Sequence, residues 1–155
     1  EDQNVLSKVE LLARREVDLE NYILKLQIEA RVLGDLCKSH IVPAAVKYQS
    51  ILINNVKGMM DVMGAKDGKV YSGAQLEMIK ELSGHIGDIK NGIDSMVKER
   101  KAANKIEENE DKAIAYCDKV KPYFDKLRYH TDKLEQIVSD DLWPLPKLRE
   151  LLFTR

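Results

Sequence analysis

The residues of this chain that could do chemistry are few, and their spacing argues against most of it. Gly64-Ala65-Lys66-Asp67-Gly68-Lys69 brings together glycines and lysines, the materials of a phosphate cradle. A phosphate loop needs a wider glycine spacing, a Ser or Thr after its lysine and a strand before it. Here Val70 follows the lysine and no strand pattern precedes it, so the segment reads as a solvent turn. His40, His85 and His130 stand in no metal-ligand spacing with one another or with a cysteine. His130 has Asp132 and Glu135 nearby, which fits a surface or half-buried, hydrogen-bonded histidine better than a site. Glu107-Glu108, Glu110-Asp111 and Asp140-Asp141 are sequence neighbours, and neighbours on a helix point in different directions. Those near a helix start complement its dipole. No nucleophile elbow or Ser/His/Asp order is present. Cys37 and Cys117 both fall on apolar positions of helical repeats and read as buried free thiols of a reducing compartment. Sequence reasoning therefore assigns no catalytic, cofactor-binding or metal-binding residue.

The elements that would position any site are helices. The chain has 155 residues with only 8 Gly and 4 Pro, so long uninterrupted elements in one domain, residues 1–155, are expected. With 25 basic and 26 acidic residues it lacks the basic excess of a nucleic-acid binder. No apolar run approaches the roughly 18 residues of a membrane span. No secretory signal opens the chain, and the absence of an initial Met suggests a piece of a larger protein. A cytoplasmic location is the expectation.

Four helical stretches follow from the apolar period. The first covers residues 7–40, opened by a Ser7/Glu10 capping box, with the seam Val9, Leu12, Leu19, Ile23, Leu26, Ala30, Leu33 and Cys37 interrupted only by Glu16. Pro43 ends it or starts the next, which runs to residue 63 with Val42, Ala45, Leu52, Val56, Met59 and Met63 on one face and Gln49 intruding. Residues 64–73 read as the clearest loop. Ser72 and Gln75 suggest a second capping box for the third helix, residues 73–104, whose line is Leu76, Ile79, Leu82, Ile86, Ile89, Ile93 and Met96. Gly84, Gly87 and Gly92 inside it imply close packing or a weak helix. Residues 103–110 read as a turn. The fourth helix, residues 110–139, carries Ala113, Cys117, Val120, Phe124, Leu127, Thr131, Leu134 and Val138, with Pro122 expected to kink or split it. The fold class is all-α: an antiparallel bundle of four long helices, kinked at Pro122, with a Pro-rich apolar carboxyl-terminal tail. The five methionines read as core filling.

The tail is the most informative local feature. Leu142, Trp143, Leu145, Leu148, Leu151, Leu152 and Phe153 crowd together, stiffened by Pro144 and Pro146. Either the tail folds back on its own bundle, or Leu142, Trp143, Leu145, Leu151 and Phe153 form a docking strip for another domain or subunit.

The stretches LENYILKLQIEARVLGDLCKSHIVPAAVKYQSILINNV (19–56), ERKAANKIE (99–107) and YCDKVKPYFDKLRYHTDKLEQIVSDDLWPLPKLRELLFTR (116–155) resemble the carboxyl-terminal region of type III glutamine synthetases, in the right order along nearly the whole chain. The third-helix glycines and Leu148, where that pattern suggests an aromatic, depart from it mildly. The resemblance implies a parent that ligates ammonia to glutamate using ATP and Mg or Mn in an upstream catalytic domain. It also implies a double-ring homo-oligomer. This chain would then be a non-catalytic accessory and assembly domain, partnered by its own catalytic domain and by neighbouring subunits. The alternative is a regulatory module of the same enzyme that binds an effector or protein. No catalytic residue carries over.

Overall fold

The computed structural model describes residues 7–152, and every regular element among them is helical, with no strand. The chain makes three long passes. The first begins with α1 (Lys8–Leu36), continues through a π turn (Cys37–Ile41) and runs on as α2 (Val42–Met63). The stretches read as separate helices on either side of Pro43 are thus one continuous rod. A short helix, α3 (Ala65–Tyr71), precedes the second pass, α4 (Gly73–Ala103). The third pass is α5 (Asn109–Ala115), a second π turn (Tyr116–Val120) and α6 (Pro122–Ile137). A 3-10 turn (Asp140–Leu142) and a final turn of helix, α7 (Leu148–Leu151), complete the tail.

The cross-helix contacts fix the directions. Gln49 Nε2 donates to Ser83 Oγ at 2.6 Å and to the Ile79 carbonyl at 3.2 Å. A Cβ on Gly34 would meet Met96 and Ile93. As residue numbers rise on the first pass they fall on α4, so the two are antiparallel. Arg15 pairs with Glu110 at one end and Cys37 meets Thr131 further along, so the first and third passes run parallel. Gln49, the polar intruder on its seam, is thus satisfied by α4 rather than by solvent.

The Ser7/Glu10 capping box is formed, with Glu10 N–H donating to Ser7 Oγ at 3.2 Å. The box expected at Ser72 and Gln75 is not. Ser72 is fully buried, its side chain makes no cap bond, and neither Ser72 Oγ nor Gln75 Oε1 has a hydrogen-bond partner among the described residues. The physical reason is that α4 is entered directly from α3, whose carbonyls already accept: Ser72 N–H donates to Gly68 O. The expected loop at 64–73 therefore contains a helix. Gly64 at φ +81° makes the reversal, and Gly68 lets α3 close on α2, since a Cβ there would sit 2.6 Å from Met60 Cα.

Both internal prolines follow a π turn. A proline has no N–H and its ring crowds the carbonyl four residues back. Before Pro43, Val42 N–H reaches back five residues to Cys37 O. Before Pro122, Lys121 N–H does the same to Tyr116 O at 2.9 Å. The division expected at Pro122 is thus a change of hydrogen-bond register, absorbed by one wide turn.

The core runs along Ile23, Leu26, Ala30, Cys37, Ile41, Ala45 and Leu52 of the first pass, Leu82, Ile89 and Met96 of α4, and Tyr116, Val120, Leu127 and Leu134 of the third. Gly92 packs tightly against Leu127, where a Cβ would come within 3.0 Å, while Gly84 and Gly87 face open space. One expectation is corrected: Cys37 is buried, but Cys117 is exposed. The wide turn at 116–120 carries Tyr116, not Cys117, into the core, where it is fully buried.

Candidate docking surface

The tail folds back on its own bundle before it turns outward. Leu142 N–H and Trp143 N–H both donate to the Ser139 carbonyl at 3.1 Å, which shapes the 3-10 turn. That turn drops Trp143 into the core at 8% exposure, with Leu142 and Leu145 half-buried beside it. Lys147 then latches the strip. Its Nζ is buried, donates to the Val138 carbonyl at 2.8 Å and lies 2.7 Å from Asp140 Oδ1. Arg149 also pairs with Asp140, and Leu148 N–H donates to Glu135 Oε1 at 2.6 Å. The role of Lys147 as a latch depends on a carbonyl nine residues back.

Beyond the latch the apolar side chains point out. Leu148, Leu151 and Leu152 are all more than half exposed. Of the five residues proposed from sequence as a docking strip, Trp143 is core, Leu142 and Leu145 are shared between core and surface, Leu151 is exposed, and Phe153 lies outside the described residues.

Further apolar side chains are exposed along α1. Val9, Leu12, Val17, Leu24, Ile28 and Val32 are each at least half exposed. Leu24, Ile28 and Val32 step by four, so they form a stripe on the side of the helix away from the buried Ile23, Leu26 and Ala30. Near its end an apolar groove of about 600 Å³ opens between α1 and α6, lined by Ile28, Val32, Leu36, Phe124 and Leu145. The first-pass seam, legible as far as Val9, is therefore used for internal packing only from Leu19 onward.

His130 is half-buried and hydrogen-bonded, as its sequence surroundings suggest, but its partner is a residue that the sequence did not single out. His85 of α4 and His130 of α6 face each other, their Nδ1 atoms 2.9 Å apart, with Asp88 beside them. Forty-five positions of sequence separate them, so no spacing rule finds the pair. The available signal was weaker: each sits next to a seam residue, Ile86 and Thr131, on two helices that must pack.

Tyr116 closes the opposite end of the third pass. Its hydroxyl donates to Asn104 Oδ1 at 2.6 Å, and the same oxygen accepts from Gln27 Nε2 at 2.8 Å. Burial pushes the Tyr116 hydroxyl above its ordinary pKa, with Gln27 and the Arg100 and Arg31 charges pulling back. Burial likewise raises the Cys37 thiol, against a lowering contact from Thr131. Among the described residues no helix is long and apolar enough to cross a membrane.

Residues 1–60 match the family model described as the glutamine synthetase C-terminal domain. The whole chain is similar to longer proteins that bear the enzyme's name. It is 44% identical over 153 residues to a glutamine synthetase of Bacteroides fragilis (strain YCH46), covering 99% of this chain and 21% of that protein. It is 27% identical over 154 residues to the type-3 glutamine synthetase of Dictyostelium discoideum, with the same coverage. The resemblance carried by residues 19–56 and 116–155 is therefore shown, and the chain spans about a fifth of the length of these relatives.

Proposed function

We propose that this chain is a non-catalytic carboxyl-terminal accessory and assembly domain of a type III glutamine synthetase. The parent would ligate ammonia to glutamate with ATP and Mg or Mn held in its upstream catalytic domain. The observation that carries the reading is the exposed apolar stripe on α1 in a chain that spans a fifth of its relatives. A row of exposed apolar side chains on the outer side of the helix, beside an apolar groove, suits an interaction surface. Its occupant would be the remaining four-fifths of the same protein, in the same subunit or a neighbouring one of a double-ring assembly. The outward leucines of the tail would extend that surface.

The test compares buried and exposed positions. Leu24→Asp with Ile28→Asp should change the stability of this chain by less than about 0.5 kcal/mol each, as exposed substitutions do. In the full-length enzyme the pair should disrupt assembly, read by sedimentation. Trp143→Ala should instead cost this chain about 3–5 kcal/mol, because the indole fills its own core. Normal assembly of the Leu24/Ile28 variant would sink the docking role. Glutamine formation or stoichiometric ATP binding by the 155-residue chain would sink the non-catalytic one.

A regulatory reading rests on a second groove. Between α1 and α4, Arg31, Lys38, Lys90 and Arg100, outnumbering Asp35 and Asp94, surround an apolar floor that includes Ile86 and Ile93, in a volume of about 600 Å³. Arg100 Nη1 is buried there without a hydrogen-bond partner among the described residues. Such a groove suits a small anion with an apolar body. Loss of effector response in full-length enzyme carrying Arg100→Met would favour it; an unchanged response would exclude this groove.

A further inference from the structure

The polar cluster between α4 and α6 is independent of the docking reading. His85 and Asp88 are three residues apart on α4 and so share a face, while His130 comes from α6 opposite. The two Nδ1 atoms are 2.9 Å apart, and Asp88 Oδ2 is 3.7 Å from His130 Nδ1. One ligand atom from each of the three residues lies within 4.8 Å of the others. We propose that His85, Asp88 and His130 form a site for a divalent transition metal of the zinc class, which clamps α4 to α6.

The distances suit this with little movement. Zinc–nitrogen bonds of about 2.0–2.1 Å place two nitrogens on a tetrahedral ion roughly 3.3 Å apart, so the imidazoles need to open by only a few tenths of an ångström. The Asp88 carboxylate is 59% exposed and free to swing toward the ion. Glu81 Oε1 lies 3.8 Å from His85 Nε2, across the ring from Nδ1. A carboxylate there favours the tautomer with its proton on Nε2, which leaves the Nδ1 lone pair for a metal. The set is two imidazoles and one carboxylate, which prefers zinc, cobalt, nickel or copper to magnesium or calcium. Three protein ligands leave a position for water, and the partial exposure of both rings, 15% and 23%, gives the ion a way in. The competing arrangement is a plain hydrogen bond between the rings. It uses one donor and one acceptor and gives the Asp88 carboxylate no part.

The test titrates the 155-residue chain with zinc by calorimetry, and with cobalt by visible absorption. One ion per chain is expected, with a cobalt spectrum of nitrogen and oxygen ligands and no thiolate charge-transfer band. His85→Gln and His130→Gln should abolish binding while keeping the helical circular dichroism. Glu81→Gln, acting through His85, should weaken it by roughly tenfold or more. Zinc should raise the unfolding midpoint of the unmodified chain and not that of the histidine variants. If either histidine variant fails to fold, Asp88→Asn at its exposed position decides, and an unchanged zinc affinity overturns the proposal. Absence of zinc binding overturns it too, as does binding that survives both histidine changes but is lost in Cys117→Ser.

Discussion

The two π turns are built alike and filled differently. In each, the first and fifth residues turn inward and a solvent-exposed proline follows two positions later: Cys37 and Ile41 before Pro43, Tyr116 and Val120 before Pro122. All four inward side chains are at most 2% exposed. In the first turn the leading inward residue is a small thiol beside Thr131; in the second it is a tyrosine wired to Asn104 and Gln27. The shared spacing shows a common solution to one problem, the amide that proline lacks. The difference shows that the turn sets which position faces inward, while the space available there sets the size of its side chain.

The largest expected break in this comparison is Tyr116→Ala. It should cost about 3–5 kcal/mol, the usual range for truncating a core aromatic, while the adjacent Cys117→Ala should change stability by less than about 0.5 kcal/mol. Denaturant unfolding of both variants checks this, and similar costs at the two positions would refute the register. At the first turn, Cys37→Ala should cost about 1 kcal/mol, since little volume is removed. Thiol labelling of the unmodified chain sharpens the same contrast: Cys117 should react at once, and Cys37 only as the bundle opens.

A smaller effect is expected at alkaline pH. A tyrosine whose folded pKa is raised stays protonated in the folded chain after the unfolded chain has begun to ionise. Its contribution is therefore complete below the ordinary value of 10.0 and is lost as pH rises from there through the folded value. Tyr22, raised chiefly by its hydrogen bond with the Cys117 thiol, adds in the same direction. Stability should fall above pH 10, and Tyr116→Phe should shrink that fall without abolishing it. Alkaline titration followed by circular dichroism measures the difference.

The smallest effect belongs to the prolines themselves. Pro43→Ala and Pro122→Ala should each change stability by about 1 kcal/mol or less, because the π turn already meets the backbone's needs and the change acts mainly on the unfolded chain. A gain or loss of several kcal/mol at one proline only would show that the two turns are not equivalent.

By itself the sequence determined the helical class, the Ser7/Glu10 start, the α4 seam through Leu82, Ile89 and Met96, and the resemblance to type III glutamine synthetases. These are local properties, fixed by the 3.6-residue period, side-chain capping and long residue strings. Tertiary structure alone decided what depends on where separate stretches meet. A π turn adds one residue to a turn without a sequence mark beyond its proline, so it joined two expected helices into one rod and exchanged Tyr116 for Cys117 in the core. Periodicity could nominate Trp143 as apolar, but only the reversal at Ser139 and the Lys147 latch settled that the indole belongs to this bundle. The His85–His130 pair left only the faint trace of its seam neighbours for the same reason: its geometry is a property of two helices in contact, and no spacing along one chain encodes it.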